Sequence, residues 1–104
     1  MTFRIQAQLK FATVGDRTAA LATIASAISG RGSTVVRSTL IDTGPRSPGL
    51  VWEATDLNTG DAGIIYALIQ AMTSPQVGSK AYHHTCFHGD NTNLCLKTAE
   101  KIWP

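Results

Sequence analysis

Apolar and polar residues alternate strictly at the start of the chain. The odd positions from 3 to 11 are apolar, whereas the even positions between them carry Arg4, Gln6, Gln8 and Lys10. Successive side chains of a strand point to opposite faces, so such a pattern places one kind of residue on each face. The sequence therefore predicts a strand over residues 3–11 with one buried face and one polar face.

Two later stretches show the period of an amphipathic helix. Each begins with a residue that can cap a helix, Thr13 or Asn58, and each has an aspartate three positions later, where a carboxylate suits the helix dipole. Apolar residues then recur at spacings of three and four. They are Leu21, Ile24, Ala25 and Ile28 in the first stretch and Ile65, Leu68, Ile69 and Met72 in the second. Glycines at positions 30 and 32 and the Ser74-Pro75 pair predict the two helix ends.

Three further segments favour strands. Residues 34–42 and 50–56 are rich in β-branched and apolar residues, and a connection rich in glycine and proline joins them. Residues 80–88 follow the second helix and hold all three histidines and one of the two cysteines. Beyond them, the spacing of apolar residues predicts a short final helix. Those residues are Leu96, Ala99, Ile102 and Trp103.

The predicted order of elements is β-α-β-β-α-β with a short C-terminal tail. Both halves run strand, capped helix, strand, which is typical of the ferredoxin-like split βαβ architecture. Right-handed crossovers then place both helices on one face of a four-stranded antiparallel sheet. We therefore predict a single α+β domain over residues 1–104, in which residues 88–104 form a tail that packs on the rest.

The histidine-bearing strand contains the candidate chemistry. Alternation places Tyr82, His84, Cys86 and His88 on one face of it. Imidazole and thiolate groups suit zinc, and four such ligands close a structural site. The candidate zinc set consists of His84, Cys86, His88 and the later Cys95. His84 and His88 would lie roughly 13 Å apart along a strand. The easier cluster is therefore Cys86, His88 and Cys95.

Two other interpretations of the same residues stay open. In one, the histidines are ordinary polar strand residues and the cysteines are small apolar ones. In the other, Cys86 and Cys95 form a disulfide across the loop 89–94. The separation of the two Cα atoms distinguishes these alternatives.

Composition and charge argue against several classes of partner. The formal net charge is +2 and 15% of the residues are charged, without a run of Lys or Arg, which does not favour nucleic acid or a membrane surface. The central strands also lack the exposed aromatics on which RNA bases stack. No apolar run approaches the ~20 residues of a membrane span, and we see no signal peptide. Two cysteines without an export signal favour reduced thiols in a cytoplasmic protein, and a protein that is part of a released virus particle would be the exception.

The same features lead us to expect that the protein is not an enzyme. Cys86 with a histidine two positions away resembles a thiol–imidazole pair, but a flat sheet face supplies neither a third orienting group nor a pocket. No glycine-rich phosphate loop follows a strand, and the carboxylates are scattered. We expect no cofactor in this interpretation.

The predicted function is a non-enzymatic structural or interaction module, such as an accessory subunit of a viral particle or another assembly. It would bind a protein partner or a second copy of itself through the open sheet face or through an edge strand, for which residues 34–42 are the candidate. The predicted interaction face consists of Arg4, Gln6, Gln8, Lys10 and Tyr82. The alternative function is a zinc- or thiol-dependent protein that uses His84, Cys86, His88 and Cys95.

Overall fold

A five-stranded antiparallel sheet and two helices make up the described part of the chain. The computed structural model describes residues 2–72, 81–90 and 95–103. Along the chain the elements are β1 (Phe3–Lys10), α1 (Val14–Ile28), β2 (Thr34–Ile41), β3 (Gly49–Leu57), α2 (Thr59–Ala71), β4 (Ala81–Gly89) and β5 (Cys95–Trp103). The strand order is β2-β3-β1-β4-β5, and each neighbouring pair is antiparallel.

The strand β1 lies at the centre of the sheet, and its apolar face forms the floor of the core. Three of its odd residues are at most 2% exposed, and each lies opposite a residue of β3 that is equally buried. The pairs are Ile5 with Ala54, Ala7 with Trp52, and Leu9 with Leu50. This confirms the alternating pattern predicted for the first strand.

Both helices cover this apolar floor from the same side. One buried cluster contains Ala20 and Ile24 of α1, Ile65 and Ile69 of α2 and the apolar residues of β1 and β3. The prediction of two helices on one face of a sheet is therefore confirmed.

Neither helix in the described part of the chain is long and apolar enough to cross a membrane.

The capping residues start the helices where the sequence predicted. The backbone nitrogen of Asp16 donates to Oγ1 of Thr13 at 3.0 Å. At α2, the backbone nitrogen of Asp61 donates to Oδ1 of Asn58 at 2.8 Å. Each cap satisfies an amide that has no partner within its helix, which is the physical reason for the repeated spacing.

Arg17 is a buried residue of α1, although the spacing of apolar residues in the sequence did not predict its burial. It is 5% exposed. Its guanidinium Nη1 donates to the carbonyl oxygens of Ile41 at 3.0 Å and Gly49 at 3.2 Å, and Nη2 donates to Oδ1 of Asp42 at 2.8 Å. These bonds fasten both ends of the loop between β2 and β3 to α1.

Residues Cys95–Trp103 form a strand, so the predictions of a four-stranded sheet and of a short final helix containing Leu96, Ala99, Ile102 and Trp103 are wrong. The strand β5 pairs with β4 from His88 opposite Cys95 to Ala81 opposite Trp103. A helix of about nine residues is marginal in water, whereas the edge of β4 offers backbone hydrogen bonds along the whole segment. The mixed α+β class is confirmed, but the ferredoxin-like arrangement of four strands is not, because β5 lies beside β4.

Adjacent isoleucines of α2 test the position of the core. Ile65 is fully buried, whereas Ile64 is 50% exposed. We expect Ile65→Ala to lower the free energy of unfolding by about 2–5 kcal/mol, because it leaves a cavity. The matched Ile64→Ala should change it by less than about 0.5–1 kcal/mol. Urea unfolding of both variants checks this, and equal losses would contradict the assigned helix face.

A second prediction concerns the buried guanidinium. Arg17→Met removes the donor to two carbonyl oxygens, and each buried acceptor that is left unsatisfied costs about 1–3 kcal/mol. We expect a loss of about 2–4 kcal/mol in the free energy of unfolding. The control is Arg37→Met on the exposed strand β2, which should be close to neutral when unfolding is measured on dilute, monomeric protein. An Arg17→Met protein as stable as this control would show that the guanidinium does not fasten the loop.

Candidate functional site

The sheet face opposite the helices, which we call the open face, carries polar side chains from adjacent strands. Gln6 of β1 lies between Glu53 of β3 and Cys86 of β4. Gln8 lies opposite His84. These pairings bring the polar face of the first strand beside the histidine-bearing strand.

A concavity of about 200 Å³ lies on the open face. Amide, guanidinium, carboxylate and imidazole groups line it, together with one sulfur. They belong to Gln6, Gln8, Arg37, Glu53, His84 and Cys86. Sequence reasoning missed Arg37 as part of this wall, because the register of β2 shifts between Val35 and Arg37 and the sequence carries no signal of that shift.

The residues of the predicted interaction face differ in their accessibility. Gln8 is exposed, and its Oε1 accepts a hydrogen bond from Nη1 of Arg46 at 2.9 Å. Arg4 forms an ion pair with Glu53, with 3.6 Å between Nε and Oε2, and the two side chains are only 15% and 13% exposed.

Lys10 and Tyr82 complete the predicted interaction face. Lys10 is 6% exposed, and its Nζ donates to the carbonyl oxygen of Pro45 at 2.8 Å, so it holds the β2–β3 loop and is not an exposed contact residue. The backbone of Tyr82 pairs with Ile102 of β5, while its side chain lies outside the described part of the structure. Among the predicted residues whose side chains are described, Gln6 and Gln8 line the concavity.

A disulfide joins Cys86 of β4 to Cys95 of β5. Their Cα atoms are 5.6 Å apart, a separation typical of disulfides. This is one of the alternatives that the sequence left open, and it leaves neither cysteine as a free thiol. The bond links the edge strand to its neighbour near the end at which β5 begins.

His88 completes a compact group with the two sulfurs, which we call the Cys-His-Cys group. The donor atoms of Cys86, His88 and Cys95 all lie within 4.8 Å of one another, and His88 is only 4% exposed. His84 does not belong to this group among the described residues; it lines the concavity instead. In the disulfide state neither sulfur is a thiolate, and the thiolate is the form that binds metal.

The strand β2 forms the other edge of the sheet, as the sequence predicted. Its residues from Thr34 to Leu40 are all exposed. The apolar side chains among them are 45%, 52% and 47% exposed for Val35, Val36 and Leu40. Arg37 is the single charged residue of the strand. The edge thus presents apolar side chains beside a row of backbone groups.

Comparison with known proteins adds no constraint on function. No protein-family model, curated protein or solved structure matches the chain.

The disulfide gives a prediction about stability. Closing a loop of about ten residues stabilises the folded state by roughly 2–3 kcal/mol in the chain-entropy description. We expect Cys95→Ser to lower the free energy of unfolding of the oxidised protein by about that amount. Urea unfolding with and without a phosphine reductant measures it. The variant and the wild-type protein should be of similar stability once both are reduced, and a wild-type protein that is insensitive to reduction would contradict the assignment.

Proposed function

We propose that this protein is a non-enzymatic structural module that associates with a second copy of itself through β2. The observation that carries the proposal is the unprotected edge. Between Thr34 and Ile41 the strand has no proline and no lysine, and it exposes three apolar side chains.

Edge strands of monomeric proteins usually carry features that prevent pairing. Lysine, proline, charges that point inward or a covering loop serve this purpose, because the outer N–H and C=O groups of an edge otherwise pair with another strand. The bulge between Val35 and Arg37 interrupts the pairing of β2 with β3 near one end of the strand and leaves Val36 out of that ladder. The backbone groups of Val36 can therefore pair with a partner strand, together with those of the remaining length of β2.

A second copy suits this edge because the strand is compatible with itself in an antiparallel register. If Ser38 lies on the two-fold axis, Val36 lies opposite Leu40 of the partner subunit. Arg37 then lies opposite Thr39 of the partner subunit, so that no two like charges face each other directly. Opposed apolar residues stabilise such a pair, whereas like charges directly opposite destabilise it.

We also infer that the domain is a ferredoxin-like unit extended by one strand. The order β2-β3-β1-β4 within the sheet and the two successive strand–helix–strand halves support this classification. In this description β5 covers the β4 edge of the ferredoxin-like unit, and the other edge of that unit, β2, remains uncovered in the described part of the chain.

The proposed register gives a test by charge exchange. Val36→Lys and Leu40→Glu should each abolish the dimer, because each buries a charge against an apolar side chain. The double variant places the introduced lysine opposite the introduced glutamate of the second copy, and it should restore association. Light scattering over a range of protein concentrations measures the mass.

The control for this experiment is Ile64→Lys, which introduces the same charge at an apolar residue of α2 that is 50% exposed. It should dimerise as the wild-type protein does. A wild-type protein that stays monomeric at the highest concentration would overturn self-association. A dimer that both single variants leave intact would place the interface elsewhere.

A second candidate function is supported by the Cys-His-Cys group. Two cysteines and a buried histidine with donor atoms within 4.8 Å of one another are suited to thiol- or zinc-dependent chemistry. In this function the reduced protein is the active form.

A further inference from the structure

We propose that the Cys-His-Cys group is a redox-gated zinc site: oxidation closes it as the Cys86–Cys95 disulfide, and reduction opens it to one Zn²⁺ ion. The ligands are the two thiolates and the imidazole of His88. The proposal deepens the second candidate function and rests on it, and it is independent of association through β2.

The spacing of the donor atoms fits one ion after a small movement. Zinc binds sulfur at about 2.3 Å and imidazole nitrogen at about 2.0–2.1 Å, so two ligands of a tetrahedral ion lie roughly 3.5–3.8 Å apart. The three donor atoms already lie within 4.8 Å of one another. Reduction lets the two sulfurs separate from bonding distance, which is the direction that zinc binding requires.

The sheet holds the ligands in place in both redox states. Cys86 and His88 belong to β4, which is paired on one side with β1 and on the other with β5. Cys95 lies opposite His88 at the start of β5. Because the backbone of all three residues is fixed by strand pairing, breaking the sulfur–sulfur bond does not disperse the ligands.

The surroundings of the group leave room for a fourth ligand. His88 is 4% exposed, but Cys86 also lines the concavity of the open face. Three protein ligands and one open position are the usual arrangement of zinc sites that bind water or substrate. We therefore assign the fourth position to a water molecule that enters from the concavity.

The chemistry of the switch balances with a dithiol as the reductant. The dithiol gives up two electrons and two protons and becomes a disulfide, while the bond between Cys86 and Cys95 breaks and each sulfur takes one proton. Zn²⁺ then binds the two sulfurs as thiolates, and two protons leave to solvent. Two thiolates neutralise the charge of the ion, which suits a largely buried position.

The test compares the two redox states of the full chain. Wild-type protein is treated with a chelator, and it is either kept oxidised or reduced with a phosphine. Each sample is titrated with Zn²⁺ by calorimetry and with Co²⁺ by absorption spectroscopy. We expect one ion per reduced chain, with thiolate-to-cobalt charge-transfer absorption, and no binding to the oxidised chain.

Two histidine variants identify the nitrogen ligand. His88→Gln removes a direct ligand and should weaken zinc binding by more than about tenfold, because even mutation of a group that only orients a metal ligand costs about 10–100-fold. His84→Gln replaces the other described histidine of the open face and should bind zinc as the wild-type protein does. Both variants should still form the disulfide, which thiol counting verifies.

Different outcomes test the zinc site, the redox gate and the ligand assignment. A reduced wild-type chain that takes up no zinc would overturn the site and the zinc-dependent function together. Equal binding by oxidised and reduced chains would overturn the redox gate and would show that the thiolates of Cys86 and Cys95 are not the ligands. Unchanged binding by His88→Gln, or a loss with His84→Gln, would overturn the ligand assignment. None of these results alters the mass measured for association through β2.

Discussion

Burial of the apolar side of β1 is the constraint on which the rest of the structure depends. Ile5, Ala7 and Leu9 lose contact with water only if β1 is paired on both sides and covered by helices. Slipping the register by one residue would turn this row toward solvent, so the pairing with β3 and β4 is fixed by the core. The arrangement of the open face follows from the same register. Gln6 lies beside Cys86, and Gln8 beside His84, because their neighbours in sequence are buried on the other side.

The two edges of the sheet differ in how they are stabilised. At one edge, β5 is tied to β4 by a covalent bond, and the Cys-His-Cys group lies where β5 begins. At the other edge, β2 is anchored at one end, where the guanidinium of Arg17 binds Ile41 and Asp42, while its length remains exposed. The edge formed by β5, which the disulfide joins to β4, is thus suited to chemistry between neighbouring strands. The edge formed by β2 is suited to association with another strand. Our two proposals assign one role to each edge.

Sequence patterns among neighbouring residues predicted the helices and strands that form the core. They failed for features that depend on contacts between residues distant in sequence. Alternation in β1 and the caps at Thr13 and Asn58 were predictable, since each depends on nearby residues. The edge position of β2 followed from the predicted order of the elements. The strand β5 was not, because the spacing of its apolar residues also fits a short helix and only the free edge of β4 decides between them. Arg17 was missed because an arginine interrupts an apolar period, and its buried partners are backbone carbonyls of a distant loop. For the candidate site, alternation placed Cys86 and His88 on one face, but the position of Cys95 depended on β5.

Amide hydrogen exchange of β2 tests the central claim most directly, because it monitors the backbone groups that the proposed contact would use. Exchange is measured on dilute and on concentrated protein, and β1 serves as the internal reference because both of its sides are already paired. We expect amides between Thr34 and Ile41 to become more protected as concentration rises, while those of Phe3–Lys10 do not change. Equal exchange of the β2 amides at both concentrations would contradict it.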